Sequence, residues 1–315
     1  MQHIRMQREG AVGFITIDRP ARFNSMDVRT AQDFRHAGLQ YAREEDVRVV
    51  VLCGLPNMFC SGADLKFIRD GGDAEEVGYL APGAARGGYG ETFKQILEYI
   101  HSTISEIRRA PKPFLAAVDG VAAAGGFGIA MSCDLVLAST RATFEWAYSK
   151  TGLTGAESST FLLPRLVGLR RAMELMLLNP RLTASQAHEY GLVTAVYEVD
   201  RFDEAVRKVA SRLAAEPPRA FAIAKELLNQ AAGFDRLDDH LDRELHELAR
   251  VADGPEFAEG IEAFFAKRPP HFESASGPRG ATGSPRASDR LEPRALGVGP
   301  QRHEECGAPR AVKLT

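Results

Sequence analysis

The feature that most constrains the fold is a glycine-bearing stretch at residues 111–136, PKPFLAAVDGVAAAGGFGIAMSCDLV. Within it, residues 114–118 form a short apolar run that predicts a buried strand. The adjacent Gly125 and Gly126 open a small, apolar segment that predicts a closely packed helix. A strand that enters a helix through paired glycines lets a ligand approach the backbone, and the helix start offers free N–H groups. A tight turn without a ligand is the simpler interpretation of the two glycines taken alone.

A second stretch of the same kind is FCSGADLK, residues 59–66, which follows a β-branched run at residues 47–54. The run predicts a buried strand, and the small residues after it predict a turn into a helix. Two such turns can each aim one backbone N–H at the same carbonyl oxygen. Two backbone donors on one oxygen form an oxyanion hole, in which one donor is typically worth ~3 kcal/mol of the reaction barrier.

Six stretches resemble the crotonase superfamily, the enoyl-CoA hydratase/isomerase family, in their order and spacing. They are IDRPARFNSMD (17–27), FCSGADLK (59–66), KPFLAAVDGVAAAGGFGIAMSCDL (112–135), TFEWAYSKTGL (143–153), LLPRLVGLRRAMELMLLNPRLTASQAHEYGLV (162–193) and EGIEAFFAKRPPHF (259–272). The resemblance implies an α/β fold, a spiral of ββα units with two near-perpendicular sheets and a helical C-terminal region. It also implies an acyl-CoA substrate and no separate cofactor, because coenzyme A is part of that substrate.

We expect three parts in the chain: a crotonase core at 1–200, a helical C-terminal part at 201–272 and a tail at 273–315. The tail has no aromatic residue and no apolar period, and it is rich in Gly, Pro, Ser and Arg. This composition predicts disorder. Residues 69–90, rich in glycine and charge, predict a mobile loop over the site.

The composition agrees with an acyl-CoA enzyme. The 315 residues are 44% hydrophobic, enough for a large core, and the net charge of −3 suggests neither nucleic acid nor an anionic membrane surface as a partner. The four cysteines lack metal-ligand spacing, so we expect no metal. The absence of an apolar run of 18 residues predicts a soluble, cytoplasmic protein with no membrane partner. By resemblance, the assembly is a homotrimer or a hexamer.

The resemblance also implies the binding residues. The backbone N–H groups of Ala63 and Gly125 would form the oxyanion hole for the thioester carbonyl oxygen. The positions that would bind substrate or coenzyme A are Arg22, Ser61, Asp64, Leu65, Lys66, Gly126, Phe264 and Lys267. Arginine and lysine suit the phosphates of coenzyme A. A solvated surface charge is the simpler interpretation of each cation taken alone.

The proton-transfer residues are where the chain departs from the family. Family hydratases carry two glutamates, but the matching positions hold Gly128 and Tyr148, so two-glutamate hydration is not expected. A third position, which carries a catalytic carboxylate in isomerase and aryl-CoA dehalogenase branches, falls on Ala156. The neighbouring Glu157 is acidic. One helical residue turns a side chain by ~100°, so Glu157 faces the acyl group only if it lies in a turn before the helix.

Two other side chains are candidates for the chemistry. Tyr148 can donate a hydrogen bond, act as an acid, or line the acyl pocket. His101 lies on a helix predicted at 91–109 and coincides with a histidine of the chlorobenzoyl-CoA dehalogenase branch. It can act as a base near pH 7 or be an ordinary half-buried helix histidine. Nearby, Trp146 is predicted to be a core residue, and Glu145 is predicted to be exposed by strand alternation.

The sequence therefore predicts an isomerase-like or hydratase-like acyl-CoA enzyme in which Glu157 or His101 is the base. Three alternatives stay open. They are an aryl-CoA dehalogenase-like enzyme, an enzyme that relies on the oxyanion hole alone, and a non-catalytic protein that binds acyl-CoA.

Overall fold

The computed structural model describes residues 1–72 and 88–272, which alternate between short strands and helices. The strands are β1 (Ile4–Glu9), β2 (Val12–Ile17), β3 (Val49–Cys53), β4 (Met58–Cys60), β5 (Phe114–Val118), β6 (Val121–Ala123), β7 (Leu135–Ser139), β8 (Thr143–Glu145), β9 (Leu182–Thr183) and β10 (Ala195–Tyr197). The helices are α1 (Val28–Arg43), α2 (Leu65–Arg69), α3 (Tyr89–Arg109), α4 (Gly125–Ser132), α5 (Ser159–Leu178), α6 (Ala184–Glu189), α7 (Phe202–Ala215), α8 (Pro218–Ala231), α9 (Leu237–Ala252) and α10 (Pro255–Ala266). Single 3₁₀ turns occur at Pro20–Arg22, Tyr148–Thr151, Val199–Arg201 and Phe234–Arg236.

The strands form two sheets, of orders β1-β2-β3-β5-β7-β10 and β4-β6-β8-β9. The sequence predicts a hairpin of residues 3–8 and 12–18 with its turn at Glu9-Gly10. Strands β1 and β2 form this hairpin and are antiparallel, and the larger sheet is otherwise parallel. Three times in succession a strand of the larger sheet is followed by a strand of the smaller one: β3 by β4, β5 by β6 and β7 by β8. This repetition is the spiral of ββα units that the resemblance implies, and it confirms the expected α/β fold.

The two faces of the larger sheet bury different cores because side chains alternate along each strand. One face, with Leu52 and Phe114 among its residues, packs into the main core between the sheets and helices. The other face, with Val51 and Leu115, packs under α7. Since helices cover both faces, the central strands are apolar at almost every position, as is typical of a parallel sheet.

Local signals explain where two of the helices begin or break. The sequence predicts a helix at 27–42 capped by Asp27. The carboxylate of Asp27 accepts a hydrogen bond from the N–H of Thr30 at 2.8 Å and caps α1. The sequence predicts two helices, at 158–167 and 169–178. The structure joins them as α5 with a break at Gly168, whose φ of 75° and ψ of 157° are not helical. A glycine adopts this conformation without a Cβ clash.

Residues on either side of the segment 73–87 are held by hydrogen bonds. The N–H of Gly72 donates to the carbonyl of Phe67 at 2.8 Å, after α2. The N–H of Gly90, in the first turn of α3, donates to the carboxylate of Asp253 at 2.8 Å. The predicted mobile loop at 69–90 lies mostly outside the described residues. The predicted disordered tail at 273–315 lies wholly outside them.

Contacts join Met1–Glu273 into one compact unit, and helices α7 to α10 occupy most of residues 202–266. The division of this unit at residue 200 stays a prediction.

The prediction that Glu145 is exposed is wrong, whereas the prediction that Trp146 is a core residue is confirmed, with 4% exposure. Glu145 is 5% exposed, and its carboxylate pairs with Lys150 and with Arg181. Strand β8 lies between β6 and β9, so it is an interior strand of the smaller sheet. Strand alternation predicts exposure only where one face of a sheet meets solvent. Here the side chain of Glu145 is buried, and a buried charge needs charged partners.

Candidate active site

The two glycine turns meet at the carboxyl ends of β4 and β6. A Cβ placed on Gly62 would lie 3.2 Å from the backbone nitrogen of Gly125. The nitrogen of Ala63 is bonded to the carbonyl carbon of Gly62, so the nitrogens of Ala63 and Gly125 are at most about 7 Å apart. Within residues 1–72 and 88–272, neither N–H donates to a protein acceptor. The structure therefore brings both predicted backbone donors together and leaves them available.

A short bridge explains why the N–H of Ala63 is available. The N–H of Met26 donates to the carbonyl of Gly62, and the N–H of Asp64 donates to the carbonyl of Met26, each at 2.8 Å. In such a parallel bridge the residue between the two partners turns its own N–H to the opposite side. The N–H of Ala63 therefore points away from Met26.

A strained residue sets the second donor. Ala124 has φ 46° and ψ −119°, a conformation rare for a residue with a side chain. Its N–H donates to the carbonyl of Glu145 at 3.1 Å, which helps to hold it there. Gly125 follows as the first residue of α4, where a helix leaves its N–H groups without partners. Strain of this kind is common beside functional groups.

Glu157 lies in a turn before α5 and not within the helix. Both Glu157 and Ser158 have left-handed backbone conformations, with φ of 50° and 62°. The carboxyl of Glu157 lies beside the second glycine turn, since a Cβ placed on Gly125 would be 2.7 Å from its Oε1. The side chain is buried, at 3% residue exposure. The condition under which Glu157 can face the acyl group is thus met.

Tyr148 is the direct partner of Glu157. Its O–H donates to Oε2 of Glu157, and the carbonyl oxygen of Ala156 lies 3.2 Å from the hydroxyl oxygen of Tyr148. Burial raises the pKa of Glu157 to about 7; the hydrogen bond from Tyr148 opposes this shift, and the charge of Glu244 adds to it. Burial and the Glu157 carboxylate raise the pKa of Tyr148 well above its usual value, so Tyr148 keeps its proton. The pair can hold or release one proton near neutral pH.

His101 contacts the backbone of Glu157. Its Nε2 accepts a hydrogen bond from the N–H of Glu157 at 3.1 Å. Because a backbone N–H only donates, this contact occupies the Nε2 lone pair and places the ring proton of the neutral histidine on Nδ1. Burial lowers the pKa of His101 to about 4, although the charge of Glu244 acts in the opposite direction. Both facts argue against the predicted role of His101 as a base near neutral pH.

The structure also shows why the first hydratase position holds a glycine. A Cβ placed on Gly128 would lie 2.4 Å from the carbonyl oxygen of Glu157 and 2.8 Å from its Cβ. A side chain at Gly128 and the observed turn at Glu157 therefore exclude each other. Ala156, where related branches carry a carboxylate, is fully buried.

Arg22 and Asp64 form a partly buried ion pair rather than two independent ligands. The guanidinium of Arg22 binds both carboxylate oxygens of Asp64, which also accepts from the N–H of Lys66 at 3.1 Å and of Phe67 at 3.0 Å. Burial raises the pKa of Asp64, but the hydrogen bonds from Arg22, Phe67 and Arg19 outweigh burial and lower it overall. Asp64 thus caps α2, while the Arg22 side chain keeps 33% of its surface exposed.

The other predicted binding residues differ in exposure. Ser61 and Leu65 are partly exposed, and Lys66, Phe264 and Lys267 are exposed. Gly126 is buried, and a Cβ on it would lie 2.1 Å from the carbonyl oxygen of Cys60.

Helix α10 packs against the 3₁₀ turn Tyr148–Thr151, since a Cβ on Gly260 would lie 2.6 Å from the backbone of Thr151. The ring of Phe265, which was not predicted as a site residue, lies 3.9 Å from the guanidinium of Arg69 in α2.

Glu244, in α9, is the main residue that the sequence did not indicate. Its carboxylate accepts from the N–H of Ser158 at 2.8 Å and from the N–H of Thr160 at 3.0 Å. Glu244 is 5% exposed, in the same helix as the buried Leu241 and Leu245. A charged residue within an apolar stripe is the signal that could have identified it, because buried charges are usually paired.

Two absences apply to the described part of the chain. No group of three or more His, Cys, Asp or Glu residues there could hold a metal ion. No helix there is long and apolar enough to span a membrane.

The spiral of ββα units and the paired glycine turns define an α/β enzyme of crotonase type. Comparison with known proteins gives the family: the profile described as Enoyl-CoA hydratase/isomerase matches residues 7–275. The chain belongs to the enoyl-CoA hydratase/isomerase family and is an acyl-CoA enzyme of that type.

Individual relatives agree with this membership. The chain is 31% identical to the 1,2-epoxyphenylacetyl-CoA isomerase of Escherichia coli (strain K12), over 86% of this chain and 98% of that protein. It is 30% identical to a 4-chlorobenzoyl coenzyme A dehalogenase of an Arthrobacter species, over 84% of this chain and 91% of that protein. The crystal structure of an enoyl-CoA hydratase from Mycobacterium avium subsp. paratuberculosis K-10 superimposes with a TM-score of 0.74 at 33% identity, covering 86% of this chain and 99% of that one.

Proposed function

We propose that the protein isomerises an unsaturated acyl-CoA thioester, with Glu157 as the group that removes and returns the proton. The observation that carries this proposal is the position of the Glu157 carboxyl beside Gly125, in a buried turn, with a pKa raised by burial to about 7. A carboxyl of that pKa is half ionised near neutral pH and can act as both base and acid.

The N–H groups of Ala63 and Gly125 bind the thioester carbonyl oxygen in this proposal. The carboxylate of Glu157 takes a proton from the carbon next to the carbonyl, and the C–H electron pair forms an enolate whose negative charge rests on that oxygen. The two backbone donors stabilise this charge. The carboxyl of Glu157 then returns the proton to a carbon further along the conjugated chain, and the double bond moves. Substrate and product are isomers, so no further reactant is consumed.

Single-carboxyl chemistry fits the residues at the two hydratase positions. Gly128 has no side chain, and the hydroxyl of Tyr148 keeps its proton and donates to Glu157. Neither can supply the second carboxylate that activates water in two-glutamate hydration. Isomerisation needs only one proton carrier, and Glu157 is suited to that task.

The residues proposed to contact coenzyme A are those that the family resemblance implies. Lys66, Phe264 and Lys267 are exposed, and Arg22 is partly so. Lys66 and Lys267 can meet phosphates directly, and Arg22 can do so with the exposed part of its side chain while it stays bound to Asp64. Asp64 is proposed to act through Arg22, which it orients, rather than by touching the ligand.

The test follows enolate formation directly. The protein is incubated in D₂O with 3-hexenoyl-CoA and 2-hexenoyl-CoA, and deuterium uptake and double-bond position are read by mass spectrometry and chromatography. Glu157→Gln should slow exchange by at least about 100-fold, the usual contribution of a general acid–base group. Glu247→Gln, a substitution of the same kind at a side chain in α9 that is 47% exposed, is the matched control.

The backbone donors are tested by removing one N–H. Gly125→Pro lacks the N–H, whereas Gly125→Ala keeps it and adds a comparable Cβ. The proline variant should be slower than the alanine variant by about 100-fold. Ala63→Pro and Ala63→Ser repeat the comparison at the other turn, and circular dichroism confirms that each pair is folded. Equal rates within both pairs would exclude the oxyanion hole.

The exchange measurement and two further assays separate the alternative functions. Full exchange in Glu157→Gln with loss in Gly125→Pro favours an enzyme that relies on the oxyanion hole alone. Release of chloride from 4-chlorobenzoyl-CoA favours the dehalogenase-like alternative, for which the relative from Arthrobacter is the reason to include that substrate. Calorimetric binding of acyl-CoA with no exchange favours a binding protein.

Assembly into a homotrimer or hexamer is likewise a proposal. Helix α5 exposes Leu169, Met173 and Leu177 at 64%, 45% and 69%, and their spacing of four places them on one helix face. An apolar face of this kind suits contact with a second copy of the chain. Light scattering should show a molecular mass several times 34.3 kDa, and Leu169→Glu with Leu177→Glu should reduce it.

A further inference from the structure

We propose that Glu244 is the positioning residue of this site: it holds the left-handed turn at Glu157 and Ser158 through backbone hydrogen bonds, and its negative charge acts on the Glu157 carboxyl. This inference rests on the proposed role of Glu157 in catalysis. The geometry that carries it is a carboxylate from α9 that binds the backbone on the C-terminal side of the reacting residue.

The strained turn at Glu157 and Ser158 needs stabilising contacts from other elements. Glu157 and Ser158 are successive non-glycine residues with positive φ. Each such backbone conformation costs about 1 kcal/mol or more. Glu244 fixes the far side of the turn through the N–H of Ser158 at 2.8 Å and of Thr160 at 3.0 Å. His101 fixes the near side through the N–H of Glu157 at 3.1 Å. The backbone of residues 157 to 160 is therefore held by hydrogen bonds to side chains of α3 and α9.

Glu244 is itself well anchored as an anion. Besides the two backbone bonds, it accepts from the hydroxyl of Thr160, and the Nε2 atoms of His240 and His101 lie 3.6 Å and 3.8 Å from its oxygens. Burial raises the pKa of Glu244, but the pKa is lowered overall, with the hydrogen bonds from His240 and Thr160 opposing burial. The carboxylate therefore stays ionised at the pH where Glu157 titrates.

The titratable groups that surround Glu157 come from every element packed on it. Tyr148 faces it from the 3₁₀ turn, His101 from α3, Glu244 from α9 and the buried thiol of Cys60 from β4. His240, also in α9, contacts Glu244 and Thr160. Near pH 7 Tyr148, His101 and Cys60 are neutral, because their pKa values are raised well above 10, lowered to about 4 and raised to about 12. Glu244 is thus the charged neighbour that favours the protonated form of Glu157.

Two substitutions separate position from charge. Glu244→Gln keeps the side-chain length and one acceptor oxygen but removes the charge, so the apparent pKa of Glu157 should move to lower pH. Glu244→Asp keeps the charge but cannot reach both N–H groups, so kcat should fall by about 10-fold or more while the pH at the midpoint changes little. In both variants KM should change less than kcat, because Glu244 does not touch the ligand.

The first readout needs no substrate. Unfolding free energies are measured by urea between pH 5 and 8 for the wild type, Glu157→Gln, Glu244→Gln and the double variant. The difference due to Glu157→Gln reports the titration of Glu157 in each background. Its midpoint should lie at lower pH when Glu244 is replaced, and the same midpoint in both backgrounds would overturn the proposal.

The second readout is the pH profile of deuterium exchange, with Glu247→Gln as the control that leaves the profile unchanged. Should Glu244→Gln fail to fold, Glu244→Asp still decides the matter, since a wild-type kcat in that variant would exclude positioning. If Glu157→Gln exchanges at the full rate, the proposed function fails, while the unfolding cycle still tests whether Glu244 tunes Glu157. The two failures are therefore distinguishable.

Discussion

Two turns meet at the candidate site, and they hold unusual backbone in different ways. The turn at 124–126 is fixed locally: two glycines follow the strained Ala124, and the absent side chains let β4 and Glu157 approach. The turn at 156–158 contains no glycine. Its left-handed residues are held by His101 and Glu244, which lie 56 and 86 positions away in the chain.

The difference follows from what each turn offers. The glycine turn presents main-chain N–H groups, so any side chain there would only obstruct. The second turn must present the carboxyl of Glu157, so glycine cannot relieve its backbone strain at that position. Long-range contacts supply the missing stability. A site of this kind therefore combines a turn determined by residue type with a turn determined by tertiary structure.

The largest expected effect concerns the second turn and compares wild type with Glu157→Gln. The pKa of Glu157 is raised from 4.5 to about 7, so its stabilising contribution is complete below pH 4.5 and is lost as the pH rises to 7. The free energy of unfolding of the wild type, relative to the variant, should fall by roughly 3 kcal/mol over this range and then stay level. Urea unfolding at several pH values measures it.

His101 contributes the opposite slope in both proteins. Its lowered pKa means that stability is present above pH 6.5 and is lost as the pH falls through about 4. Subtracting the two curves removes this term. Parallel curves for wild type and Glu157→Gln would mean that Glu157 titrates normally and that the second turn holds no unusual carboxyl.

The next effect couples the two turns through Gly128. In Gly128→Ala the new Cβ overlaps the carbonyl of Glu157, a backbone atom that cannot rotate away. Overpacking of this kind exceeds the gain in helix propensity, so we expect a loss of about 2 kcal/mol in unfolding free energy. Thermal and urea unfolding at pH 7 measure it. A variant as stable as the wild type would show that the second turn is free to move.

The smallest effect concerns the hydrogen bond that links Tyr148 to Glu157. Tyr148→Phe keeps the ring but removes the donor that favours the ionised carboxyl. The pH profile of exchange should move to higher pH, by up to about one unit. This shift is opposite in sign to that expected for Glu244→Gln. Tyr41→Phe, at another buried tyrosine in α1, should leave the profile in place, and an acid shift in Tyr148→Phe would contradict the assignment.

The sequence predicts well whatever depends on neighbouring residues. The hairpin before residue 18, the central strand at 114–118 and the break of α5 at Gly168 all follow from local patterns and agree with the structure. Gly62 and the pair Gly125 and Gly126 likewise indicate where the two candidate backbone donors lie, because the absence of a side chain has a local meaning.

What could not be predicted depends on contacts between distant elements. The burial of Glu145 results from a strand on each side of β8, and the position of Glu157 results from His101 and Glu244. A helix periodicity shows that Glu244 faces the core but not what it meets there. The ion pair of Arg22 with Asp64 is hidden in the same way.

The anchors at Gly72 and Gly90 have a consequence for how such proteins diversify. Gly72 and Gly90, which flank the 15-residue interval 73–87, are bound to the carbonyl of Phe67 and the carboxylate of Asp253, both outside that interval. Because neither bond involves the intervening residues, we expect α2 and α3 to keep these contacts when the length or sequence of residues 73–87 is changed. Related or engineered proteins can then differ in this interval and still share the residues that carry the chemistry.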